Sequence, residues 1–95
     1  MRAKRRTTFS LGQVVATPGA LQAFALAEEH YLPYLLRHAR GDWGEVCPED
    51  ARANDQAREM DGRLVSAYRL RDSTKIWIIT EADRSSTCIL LPEEY

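Results

Sequence analysis

Residues 76–79, Ile76-Trp77-Ile78-Ile79, are the tightest constraint on what this chain can become. Branching at Cβ restricts side-chain rotation in a helix and packs well on a pleated surface, so this run favours a strand. Strand side chains alternate between two faces. An unbroken apolar run therefore has nothing polar to present to water on either side. Such a strand must be central and covered on both faces. Polar turns bracket it, Arg71-Asp72-Ser73-Thr74 before and Ala82 to Ser85 after. Two further strand patterns lie beyond them, Leu64 to Leu70 and Thr87 to Leu91, the latter stopped by Pro92. Connections this short join antiparallel neighbours, so the last third reads as a three-stranded antiparallel meander.

The first two thirds read differently. Pro18, Pro33 and Pro48 recur every 15 residues, but the segments they open do not align. The spacing marks three helix starts, because proline fits the first helical turn without losing a needed N–H. Thr17 is the N-cap of the first helix, expected to run to about His30 with Leu21, Phe24, Ala25 and Glu28 on one side and Leu26 beside them. The second starts at Pro33 and ends at Gly41, with Arg37, His38 and Arg40 as cations at its negative end. The third opens at Pro48, carries Glu49 and Asp50 in its first turn, and offers only Ala53, Ala57 and Met60 as an apolar face before Gly62 ends it. Residues 8–16, with Phe9, Leu11, Val14 and Val15, supply a short N-terminal strand or an extended lead-in. Trp43, inside the turn Gly41-Asp42-Trp43-Gly44, is expected to fold back as a plug over the core.

The expected fold is α+β: three short N-terminal helices packed on a C-terminal three-stranded antiparallel meander, with an optional short N-terminal strand. One domain over residues 8–95 follows a basic flexible arm over residues 1–7. Small helices cover one sheet face well and the other poorly. The residual apolar face, drawn from Ile76, Ile78, Tyr68 and Leu90 or their opposite-face neighbours, is expected to bury itself in a homo-oligomer, most simply a dimer.

A formal charge of −1 over 95 residues hides a segregated distribution. Arg2, Lys4, Arg5 and Arg6 concentrate positive charge at the start. Residues 42–61 hold Asp42, Glu45, Glu49, Asp50, Asp55, Glu59 and Asp61 against only Arg52 and Arg58. No apolar run approaches the ~20 residues that span a bilayer. No secretory-type apolar segment follows the basic start, so a cytoplasmic location is expected. Cys47 and Cys88 are too few for a disulfide framework. His30, His38, Cys47 and Cys88 show no ligand spacing, so neither a metal nor another cofactor is expected. No phosphate-cradling glycine loop and no nucleophile elbow is present.

The segments LGQVVATPGAL (11–21), GDWGEV (41–46), RLVSAYRL (63–70) and KIWIITEADRSSTCILLPEEY (75–95) resemble a family of short proteins encoded on bacterial plasmids and other mobile elements, with integron gene cassettes as one setting. The resemblance implies a mobile-element accessory protein. It carries over no activity and no catalytic residue.

Glu81-Ala82-Asp83-Arg84-Ser85-Ser86-Thr87 is the most pointed polar cluster. As a site, Glu81 or Asp83 would accept a proton and Arg84 would hold an anion. As a turn, Asp and Ser bond the backbone and Arg84 pairs with a carboxylate; this is the commoner use of such residues and is favoured. A small ribonuclease-like enzyme would need a carboxylate base, a histidine acid and phosphate-binding arginines, an inventory met by Glu81, His38, Arg69 and Arg84. The arm Arg2, Lys4, Arg5 and Arg6 would give sequence-independent, salt-sensitive contacts to nucleic acid. No accompanying nucleic-acid motif is present, and a solubilising tail is preferred. Asp42, Trp43, Glu45, Glu49 and Asp50 form either a solvated face or a surface for a basic protein partner. The leading expectation is a non-enzymatic protein-interaction module that self-associates. A nuclease-like RNA-processing enzyme and a weak nucleic-acid binder are the alternatives.

Overall fold

The computed structural model describes residues 9–95. The arm expected over 1–7, with Arg2, Lys4, Arg5 and Arg6, lies outside the described residues. The fold is α+β, with three helices preceding most of the sheet. The expected meander is present as β2 (Leu64–Arg69), β3 (Lys75–Thr80) and β4 (Ser86–Leu90), each antiparallel to the next. The sheet itself is four-stranded and mixed rather than a bare meander. A first strand, β1 (Gln13–Ala16), runs parallel to β4 and gives the order β1-β4-β3-β2. Parallel pairing needs a long crossover. Here everything from α1 to β3 lies within it, so no local turn signal announces the pair.

The helices are α1 (Pro18–Ala27), α2 (Leu32–Ala39) and α3 (Pro48–Glu59), each with proline in its first turn. Thr17 caps α1 as expected, its hydroxyl oxygen accepting from the Ala20 N–H at 3.0 Å. The same hydroxyl donates to Glu94 at 2.7 Å, and Glu94 also accepts from the Leu91 N–H at 2.8 Å. The 3₁₀ turn Pro92–Glu94 is thereby fastened to the start of α1. Gly19 makes the approach possible, because a Cβ there would lie 2.4 Å from the Glu94 carboxylate.

Three expectations about these helices are corrected. First, α1 stops at Ala27, where Glu28 turns left-handed at φ 57°. Second, α1 buries Ala20, Ala23, Phe24 and Ala27, leaving Leu21 exposed and Leu26 74% exposed. The small residues let the helix lie close to the sheet, and Phe24 fills the remaining space. Third, α3 buries Asn54 instead of an alanine–methionine face, and Met60 is exposed.

Register sorts the sheet into two faces. Leu64, Ser66, Tyr68, Ile76, Ile78, Thr80, Thr87 and Ile89 share one face, and all are buried. Alanines and Phe24 of α1 and Leu35 of α2 pack on it. Tyr68, Ile76 and Ile78 are thus core residues and are not free for a dimer face. Val65, Ala67, Trp77, Ile79, Cys88 and Leu90 share the opposite face. The 3₁₀ turn and Tyr95 cover part of it, with Tyr95 edge-on to Trp77 at 5.6 Å.

The two sheet edges are unlike. On β2, the Asn54 side-chain amide donates to the Val65 carbonyl at 2.9 Å, and its oxygen accepts the Val65 N–H at 3.2 Å. The Trp43 carbonyl takes the Ala67 N–H at 3.0 Å, and the Glu45 N–H donates to the Ala67 carbonyl at 2.6 Å. Gly44 alone permits this contact, since its φ is +75° and a Cβ would lie 2.0 Å from the Ala67 oxygen. This edge is closed against a further strand. On β1, Gln13 and Thr17 donate inward to Ser85 and Ile89 at 3.0 Å. The backbone groups of Val14 and Ala16 therefore point outward.

Candidate functional site

The expected catalytic residues do not assemble. His38 is fully buried on α2, not a solvated cation at its end. Its Nδ1 lies 2.5 Å from Ser66 Oγ and its Nε2 2.9 Å from Thr80 Oγ1. Thr80 Oγ1 is 2.7 Å from Thr87 Oγ1, which donates to the Leu11 carbonyl at 2.7 Å. Only one proton arrangement of a neutral ring satisfies this chain. Thr87 spends its hydrogen on Leu11, so Thr80 donates to Thr87. Thr80 then accepts from Nε2–H, and Ser66 donates to Nδ1. The imidazole is the neutral Nε2–H tautomer, and burial pushes its pKa down to about 4. The rings of Phe9 and Trp43 close over it at 5.3 and 5.7 Å.

The turn over 81–87 is structural in its bonding. Asp83 accepts the Ser85 N–H at 2.9 Å, and the bonds from Ser85 hold its carboxyl below the usual range. Arg84, at φ 61°, spends its guanidinium on carbonyls. Nη1 donates to Gly62 (2.7 Å), Ala82 (3.0 Å) and Glu81 (3.1 Å), and Nη2 to Ala57 (3.0 Å). It clamps the end of α3 to the turn and does not pair with a carboxylate. Glu81 is exposed, 3.8 Å from Arg63. A nuclease-like reading thus has a surface carboxylate, an arginine committed to four carbonyls and a histidine without solvent contact. Arg69, the fourth member of that inventory, holds Glu45 at 3.2 Å.

The residues expected to bind a partner separate into two roles. Asp42 and Trp43 build the fold. Asp42 pairs with Arg37 at 2.7 Å and accepts the Gly44 N–H at 3.2 Å. The bond from Arg37 is the main reason its carboxyl titrates below the usual range. Trp43 is 5% exposed and donates from Nε1 to Asp55 at 3.0 Å, consistent with a plug. Tyr68 fixes the same turn by donating to the Asp42 carbonyl, with Arg37 stacked 4.7 Å from its ring centre. Glu45, Glu49 and Asp50 stay exposed.

Glu45 and Asp50 line a groove of about 490 Å³ on the second sheet face. Its floor is Val65, Ala67, Trp77 and Ile79, and one wall is Cys47, Asp50, Ala53 and Asn54. Lys75 and Tyr95 stand at its rim. Glu45 is engaged by Arg69, while Asp50 makes no ion pair among the described residues. The closed β2 edge creates this groove, because Asn54 holds α3 beside the strand without laying it across the floor.

The groove places Glu45 and Asp50, two of the residues expected to meet a partner, beside a floor made of the opposite-face neighbours of Tyr68, Ile76 and Ile78. The signal for that floor was present in the run 76–79, which is apolar on both faces. His38 also had a signal. Tyr31, Leu35 and His38 fall at i, i+4 and i+7, one helical face. Among the described residues, no three His, Cys, Asp or Glu side chains come together as a metal site requires. Cys47 is exposed and Cys88 half-buried, both as free thiols. Comparison with family models, curated proteins and solved structures finds no match for the chain.

Proposed function

We propose that the chain is a non-enzymatic protein-interaction module that docks an apolar side chain flanked by a cation from a protein partner. The groove carries this reading. Trp77 lies on its floor with Val65 and Ala67, and Asp50 stands on its wall with no ion pair among the described residues. Apolar floors with a few placed polar groups are what binding clefts share. The excess of acids over 42–61 adds long-range attraction for a basic partner. The resemblance to mobile-element proteins supports a setting as a cytoplasmic accessory protein. An inaccessible His38 and a carbonyl-bound Arg84 weigh against a nuclease-like enzyme.

Selection from a displayed random-peptide library tests the reading. Enriched peptides are expected to place Lys or Arg beside a large apolar residue. Trp77→Lys is expected to weaken their binding by at least tenfold, and Asp50→Lys several-fold with a reduced salt dependence. No enrichment, or binding that survives both substitutions, would overturn it.

A further inference from the structure

We propose that two copies of this chain pair through β1, antiparallel and in a symmetric register, to form one continuous eight-stranded sheet. The asymmetry of the edges points there. The chain closes β2 with its own Asn54, Trp43 and Glu45, and among the described residues nothing closes β1. Edge strands are usually guarded by lysine, proline, a bulge or a covering element. Gln13-Val14-Val15-Ala16 has none of these side chains, and Val14 and Val15 are 39% and 44% exposed. Among the described residues nothing hydrogen-bonds to the outward backbone of Val14 or Ala16.

The register follows from which groups point outward. Only Val14 and Ala16 present both N–H and C=O to the open side. In an antiparallel pair, hydrogen-bonded residues exchange two bonds and alternate with pairs that exchange none. Val14 opposite the partner's Ala16, and Ala16 opposite the partner's Val14, makes four bonds. Val15 then faces the partner's Val15 across the two-fold axis, in the closer, non-bonded position where side chains meet. One register satisfies every outward group and buries the more exposed valine against its own copy. The same edge supplies both halves of this pairing, as a symmetric interface requires, so the occupant is a second copy.

A two-fold axis normal to the sheet keeps corresponding faces on the same side. Each copy's groove lies toward β2, so the dimer carries two grooves on one surface, at its outer ends. The pairing stands independently of what the grooves bind. A four-residue edge buries little area, so the dimer is expected to be weak and reversible.

Sedimentation of the full chain from about 1 µM to 1 mM reads the equilibrium. The expected result is a shift from 10.8 kDa to twice that mass within the range. Val14→Pro removes an outward N–H, leaves the bonds to β4 intact, and is expected to abolish the shift. Val15→Lys sets two like charges across the axis and is expected to do the same, which serves if the proline variant loses its circular dichroism. Trp77→Lys is expected to dimerise as the unmodified protein does. Amide exchange gives a reading without substitution: Val14 and Ala16 slow as concentration rises, and Val15 does not. A monomer throughout the range overturns the proposal. So does a dimer that Val15→Lys leaves intact, one that Trp77→Lys dissolves, or exchange at Val14 and Ala16 that ignores concentration.

Discussion

His38 shows how one side chain can be committed from both ends. Each ring nitrogen meets a hydroxyl, and every hydroxyl hydrogen in the chain from Ser66 to Leu11 is already assigned. A second proton on the ring would have to turn the Ser66 hydrogen away, in a site closed off from the surface. The unfolded chain protonates this histidine near its ordinary value of 6.5, and the folded protein resists until about 4. Between those values the unfolded state binds more protons, so stability falls as pH falls. The gap corresponds to about 3 kcal/mol. Urea unfolding from pH 7 to pH 4 should show that loss beyond the contribution of the carboxylates. His38→Leu should cost about 3 kcal/mol at pH 7, where it orphans Ser66 and Thr80. Its curve should then converge on that of the unmodified protein near pH 4. Helix-end reasoning misplaced this residue because Arg37 in the last turn of α2 and Arg40 at its C-cap flank it.

At the scale of elements, legibility followed the range of the forces involved. The meander was readable because alternation and turn residues are local. The starts of α1 and α3 were readable from proline, with Thr17 before it as the cap of α1. What stayed hidden was set by partners distant in sequence. The buried face of α1 is its alanine face, because closeness to the sheet outweighs the larger but outward Leu21 and Leu26. The pairing of β1 with β4 joins residues 13–16 to residues 86–89, beyond any short-range pattern. Asn54 reads as an ordinary polar helix residue, yet it occupies the place of a neighbouring strand on β2. Asn54→Ala should therefore cost about 1–3 kcal/mol, by orphaning the Val65 backbone, and should raise the aggregation rate at fixed concentration. Light scattering on heating would read the second effect. Arg84→Ala should cost about 2 kcal/mol in urea unfolding, because four carbonyls lose a charged donor. An arginine held for anion chemistry would instead leave stability unchanged on removal.

Across the whole molecule, the two sheet faces have different tasks. One is sealed by α1 and α2 around Tyr68, Ile76 and Ile78. The other is half covered, and the uncovered half is the groove. The expectation of an underused face was therefore sound in kind. Of the residues named for it, Tyr68, Ile76 and Ile78 lie beneath the helices, while Leu90 and the opposite-face neighbours lie on the less covered side, since register alone decides which of two alternating sets the helices seal. Groove and open edge sit at opposite ends of the strand order. Their functions should separate: Val14→Pro is expected to keep the affinity per chain for a selected peptide within about twofold, as distant sites act additively. Calorimetric titration of both proteins below the dimerisation range checks this. A shared loss would mean a single surface serves both.

The parallel pairing of β1 with β4 also sets a timetable. A ribosome delivers β1 early, while the strand it needs begins only at Ser86. The tie between the start of α1 and the last 3₁₀ turn waits longer still, since Thr17 gives its hydroxyl hydrogen to Glu94. Until that stretch is synthesised, α1 lacks β4, the strand it touches, and Ile89 is missing from the core around Phe24. Closing so distant a contact is slow compared with forming a helix. The growing chain thus carries β1 unpaired until residues 86–89 emerge, which is when a chaperone would find it.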